Sequence, residues 1–234
     1  MSQLLSTMWC DVRVQMRNGF YHAVGFVLLG WVLLFTWLPE FNWSFLLPAL
    51  IFSNLTVGTF YFFGGLVLLE KSEGTLEAQV VTPLRTGAYL ASKVLTLTAL
   101  AVVESVVITV VAVGMTFRVV PLVAGVVLAS GVYSLLGFVA VARYDSINEY
   151  LFPSFIITLV LSLPLLPYFG LAESPMWYLH PLRGSLLLMQ ASVQPVGGGA
   201  LVYGVAYSLA SIALAFLVSR NMFLRFIVAK EGGH

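Results

Sequence analysis

Six apolar segments, at 22–38, 45–69, 94–115, 122–142, 153–171 and 200–218, fill more than half of this 234-residue chain and limit what it can fold into. A helix needs about 20 apolar residues to cross the hydrocarbon of a bilayer, and backbone groups in lipid must be satisfied within the segment itself. The segments therefore read as membrane-spanning helices. Composition agrees: 60% of residues are hydrophobic and 9% charged, against roughly 45–50% and 25% in soluble domains. The chain is expected to be an all-α polytopic membrane protein with six spans and no separate soluble domain. A lone Cys10 excludes an internal disulfide and a cysteine-cluster metal site. Asp11, Arg13 and Arg17 interrupt the N-terminus, and no cleavage site follows a short apolar core, so no signal-peptide layout is seen.

Six spans put both termini on one side, and basic residues choose the side. Arg13, Arg17, Lys71, Arg85, Lys93, Arg143, Arg220, Arg225 and Lys230 fall on the terminal side, and only Arg118 and Arg183 on the other. The positive-inside rule makes both termini cytoplasmic. Ahead of the first span, Leu5, Met8, Trp9, Val12, Met16 and Phe20 share one side of a helix, while Asp11, Gln15, Arg17 and Asn18 take the other, with Val14 as the exception. Residues 1–21 thus predict an amphipathic helix lying in the cytoplasmic interface.

The longest polar interval of the first half, Leu69–Lys93, separates the second and third spans. It holds Glu70, Glu73 and Glu77 together with Lys71, Arg85 and Lys93. Ser72 can cap a short helix over Glu73–Val81, with Glu73 favoured in its first turn. Thr82 and Pro83 then read as N-cap and N1 of the next helix. A charged helix slung between two spans is placed to meet a cytosolic partner, and the same residues also read as a solvated connector. Later, the segment 173–199 is too long for a turn and too broken to span. It carries Pro175, Pro181, Pro195 and Gly197–Gly199. Short helices at Trp177–Leu179 and Leu182–Ala191, divided by His180 and Pro181, would permit a backbone that dips into the membrane under protein cover.

Signs of catalysis are missing. Gly65 and the residues to Ser72 approximate a phosphate loop, but Glu70 stands where its second glycine belongs and would repel phosphate. His22, His180 and His234 are scattered and suggest no metal site. The chain reads as a non-enzyme without a cofactor of its own, and nothing marks a nucleic-acid partner. Within the spans, Glu104 is the only ionisable side chain at depth. A charged carboxylate at mid-span costs about 2.5–3.5 kcal/mol on insertion scales, so it should be protonated, paired or facing water. Three roles stay open: a bond to a neighbouring span, a contact with a partner chain, or a place on a polar path through the bundle. Asn54 reads equally as an interhelical bond or a cavity contact.

Glu70-x-x-x-Gly74-Thr75-Leu76-Glu77, then Val81-Thr82-Pro83-Leu84 and Tyr89-Leu90-x-x-Lys93, resembles the ABC-2 family of ATP-binding-cassette transporter permeases. Within it the chain most resembles the small drug-export permeases, fluoroquinolone exporters among them. The resemblance implies a bacterial-type plasma-membrane exporter. It assigns 1–21 as a connecting helix, 22–234 as the membrane domain, and 70–93 as the loop whose coupling helix docks on an ATPase. On that basis Glu70, Glu73, Gly74, Thr75, Leu76, Glu77, Pro83 and Arg85 are the coupling candidates. It also implies a re-entrant helix pair within 173–199 and a central cavity lined by the second and fifth spans. Asn54, Tyr61, Phe155, Leu159 and Ser162, with Glu104, are then cargo-path candidates by position. The implied partners are two ATPase subunits that bind ATP and Mg, a second identical or homologous permease, the lipid bilayer and a small amphipathic cargo. Three rivals remain: a membrane scaffold using the 70–93 loop without transport, an ABC-2 exporter of another cargo such as a polysaccharide or haem, and an ion-coupled transporter using Glu104.

Overall fold

The computed structural model describes residues 3–38, 42–76 and 86–228, and among these there are helices and turns but no strand. Eight helices organise them: α1 (Gln3–Arg17), α2 (Phe20–Trp37), α3 (Trp43–Ser72), α4 (Thr86–Val113), α5 (Val119–Val141), α6 (Ile147–Tyr168), α7 (Arg183–Val193) and α8 (Gly198–Ile227). All except α1 and α7 are long and apolar enough to cross a membrane. The protein is thus multi-pass, as its apolar runs predict.

α5 lies at the centre because every side of it can be packed. Leu122, Val126, Ala129 and Tyr133 recur at helical spacing and are fully buried. Glycines let neighbouring backbones come close where no hydrophobic force separates helix from lipid. A Cβ at Gly137 would stand 2.6 Å from the Phe60 carbonyl oxygen, and one at Gly125 would stand 2.8 Å from the Met189 amide nitrogen. α3 supplies Phe60 from a π-helical stretch, Thr56–Tyr61, where the Thr59 hydroxyl donates to the Leu55 carbonyl at 2.6 Å. Such single wide turns often mark functional sites in helices.

Among the described residues the helix of the third span already runs from Thr86, ahead of the apolar run at 94, so Lys93 lies inside it. Two local expectations change. Ser72 does not open a helix: α3 runs through it, and its hydroxyl donates back to the Leu69 carbonyl at 2.8 Å. The stop comes at Gly74, whose φ of +67° is the left-handed conformation that ends helices. Helix resumes at Thr75 and Leu76. The rest of the expected Glu73–Val81 helix, and the Thr82–Pro83 start, lie outside the described residues. In α1 the polar side faces the protein, burying Asp11 and Gln15, while Leu5, Trp9 and Met16 face outward.

After α6 the chain folds back as a hairpin made of one 3-10 turn and one α-helix. From Gly170, at φ +71°, the chain turns back on itself. A 3-10 turn, Pro175–Leu179, leads to His180, whose Nε2 meets the Val160 carbonyl at 3.2 Å. Val160 lies about two helical turns below Tyr168 on α6. α7 then climbs to the level of Arg118, whose backbone N–H donates to the Ser192 carbonyl at 2.8 Å. The carbonyls exposed by the dip are covered: Tyr203 donates to that of Tyr178, and Tyr207 to that of Leu179 at 2.5 Å. His180 Nδ1 accepts from the Leu182 N–H at 3.3 Å, so Nε2 carries the proton that Val160 receives.

Candidate functional site

At the charged end of the bundle, three segments distant in sequence meet on one ammonium group. Lys93, 1% exposed, donates to Asp11 Oδ1 at 2.7 Å and to Glu70 Oε1 at 2.6 Å. These are lengths of charge-assisted bonds. Two carboxylates face one cation, and the surplus negative charge is met by hydroxyl donors. Tyr89 donates to Glu70 Oε2 at 2.7 Å, and Ser92 to Asp11 Oδ2 at 2.6 Å. One turn further along both helices, the Gln15 amide donates to the Thr96 hydroxyl at 2.9 Å. Tyr89, Ser92, Lys93 and Thr96 form one stripe of α4, and Asp11 and Gln15 one stripe of α1. Helical spacing of three and four residues therefore builds the junction without any special loop.

A second lysine fixes the same end from outside. Lys71 Nζ donates to the Ala142 and Tyr144 carbonyls at 2.9 and 2.6 Å, satisfying the open C-terminus of α5, and approaches Asp145 at 3.4 Å. Arg17 reaches Glu73 at 3.2 Å on the surface. Thr75 donates to the Glu70 carbonyl at 3.2 Å, and Leu76 is buried. Glu70 through Leu76 is thereby tied to α1, α4 and the α5–α6 turn.

Mid-bundle, Glu104 is 3% exposed, and the Asn54 side chain lies close to its carboxyl. Its Oε2 would lie 3.4 Å from a Cβ at Gly58. The carboxyl is therefore seated against the wide turn of α3, where the absence of a side chain leaves room.

A family model described as the fluoroquinolones export permease protein family matches residues 2–231. The chain belongs to that family. Over 238 aligned residues it is 30% identical to a fluoroquinolones export permease protein from Mycobacterium tuberculosis, in strain CDC 1551 / Oshkosh and again in strain H37Rv, with 99% of each chain covered. Membership agrees with a transport subunit rather than an enzyme.

The permease distributes its sequence-predicted site residues unevenly. Of the coupling candidates, Glu73 and Gly74 lie at the surface end of α3, whereas Glu70 is buried in the junction and Leu76 beneath it. Glu77, Pro83 and Arg85 lie outside the described residues. Of the cargo-path candidates, Asn54 and Glu104 lie close to each other. The Tyr61 hydroxyl lies 3.2 Å from that of Thr158 on α6, and Ser162 donates to the Thr158 carbonyl at 2.8 Å. Phe155 and Leu159 project from the outer face of α6, each 60% exposed. Cavities of about 410 and 260 Å³ among the described residues are lined by none of these six.

Sequence reasoning missed Asp11, Ser92 and Lys93 as a unit. A signal was present, since Asp11 and Gln15 stand four apart, as do Ser92 and Thr96, each pair on one stripe of a helix that must face lipid or protein.

Proposed function

We propose that the chain is the membrane half of an ATP-driven exporter, working as a pair of identical or homologous permeases with two ATPase subunits. ATP and Mg would be bound by the ATPases, not by this chain. The termini and the charged end would face the cytoplasm of a bacterial cell. The observation that carries this reading is the buried Asp11–Lys93–Glu70 junction directly behind the Gly74 turn, in a chain whose family is one of export permeases.

A push on the loop after Gly74 would not be absorbed locally, because Glu70 is locked to α1 and α4 and Lys71 to the end of α5. The load would pass into three helices at once. Movement of α4 against α3 would then shift Glu104 across the wide turn of α3, changing which side of the bundle is open. The cargo is proposed to be a small, aromatic, amphipathic compound of the fluoroquinolone kind, following the names of the relatives. A membrane scaffold would have little use for such stiff linkage. Copurification of an ATPase whose turnover rises with added fluoroquinolone is the result expected of an exporter. A bound ATPase indifferent to cargo would favour the scaffold.

A further inference from the structure

At the end of the bundle opposite Lys93, the re-entrant hairpin borders a partly open cleft of about 410 Å³ under the last turn of α6. Pro167 from α6, Glu173, Trp177 and Tyr178 from the descending limb, and Arg183 from the first turn of α7 line it. Its donors are unmatched. Arg183 Nε and Nη1 are buried without a hydrogen-bond partner, and so is the indole Nε1 of Trp177. The guanidinium carbon lies 5.8 Å from the centre of the Tyr178 ring, which packs on it but accepts no conventional bond. Among the lining groups, the Ser174 hydroxyl is occupied in accepting from the Met176 N–H, and Glu173 is exposed.

Both side chains are only half-buried, but N–H donors withdrawn from solvent, like these three, ordinarily have acceptors. Here they converge on one cavity, and the positive end of an 11-residue helix adds to the same field. A ligand that meets this deficit must present oxygen acceptors and negative charge in a compact group. The planar fork of arginine suits two oxygens on one phosphorus or carbon atom. We infer that this cavity is a binding site for an oxyanion head group, a phosphate or carboxylate, held by Arg183 with Trp177 as second donor. Glu173 stands at the rim as a repelling charge that limits occupancy. The anion can come from a phospholipid head group or from a free solute.

The test uses the full-length chain purified in a neutral detergent. Sodium phosphate is titrated against sodium chloride of equal ionic strength, with binding followed by ³¹P line broadening and thermal stability. Nanodiscs of phosphatidylglycerol and of phosphatidylcholine form the lipid arm. Wild type should bind phosphate above the chloride background. Arg183→Gln should weaken binding about tenfold or more, Arg183→Lys less, and Trp177→Phe by a smaller factor. Glu173→Gln should tighten it. Stabilisation by phosphatidylglycerol that free phosphate does not displace assigns the site to lipid, and displacement assigns it to either source. The inference is overturned if neither phosphate nor phosphatidylglycerol acts beyond its control, or if Arg183→Gln binds like wild type. It is equally overturned if Glu173→Gln lowers thermal stability as much as Arg183→Gln, because Glu173 would then be the missing partner.

Discussion

Removing the Lys93 ammonium, as in Lys93→Met, should be the most damaging single change at the charged end. It leaves Asp11, 5% exposed, and Glu70, 4% exposed, as two carboxylates that converged on one cation at 2.7 and 2.6 Å. Breaking a buried pair by removing one partner costs about 3–5 kcal/mol. For a chain of this size that is a fall in Tm of roughly 6–20 °C. The effect should be asymmetric. Asp11→Asn or Glu70→Gln leaves one carboxylate paired to Lys93 and keeps side-chain hydrogen bonding, so each should cost less than half as much. The triple variant Asp11→Asn, Glu70→Gln, Lys93→Met carries no charge at the junction and should recover most of the loss. Heating the detergent-solubilised protein and measuring the monodisperse fraction by size exclusion gives the comparison directly. A Lys93→Met variant as stable as wild type, or an Asp11→Asn variant equally damaged, would refute the reasoning.

Other perturbations should be as specific. Gly74→Val should weaken export through backbone strain alone, since nothing lies within 4 Å of its Cβ position and φ is +67°; unchanged export would remove that turn from the coupling path. Reversing the charge at Glu73 should impair ATPase docking with little change in Tm, because its pair with Arg17 is solvent-exposed; pull-down of the ATPase reads it. Glu104→Gln should keep wild-type stability, whereas Glu104→Leu puts an apolar side chain beside Asn54 and should cost about 1–3 kcal/mol; equal melting of the two variants would contradict the seat described for Glu104. With Cys10 replaced by Ser, a cysteine at Arg118 should react with an impermeant thiol reagent from outside, while one at Arg183 should react slowly because that side chain is half-buried under the hairpin.

Legibility in the sequence followed how local each cause is. Spans need only length and hydropathy, and all six apolar runs became helices long enough to cross. The dip after α6 was permitted by Pro175, Pro181 and Gly197–Gly199, but what holds it down is distant: Tyr203, Tyr207 and Val160 supply the partners. Lys93 looked like the last charge of a polar loop because its partner Asp11 is 82 residues away and faced the supposedly wet side of α1. A buried ion pair hides from periodicity, since each half alone resembles a solvated charge. Glu104 was recognisable as costly in lipid, but that the second span would face it, with Asn54 just ahead of the π-helical stretch, was not.

The central claim is that this permease moves cargo when a partner hydrolyses ATP. Inside-out vesicles carrying the permease and its copurifying ATPase, loaded externally with a fluorescent fluoroquinolone, test it most directly. The account predicts uptake that requires hydrolysable ATP, stops with vanadate and is lost with Lys93→Met but largely restored in stability, not in transport, by the neutralised triple variant. Equal uptake with and without ATP, at equal levels of inserted protein, would contradict it.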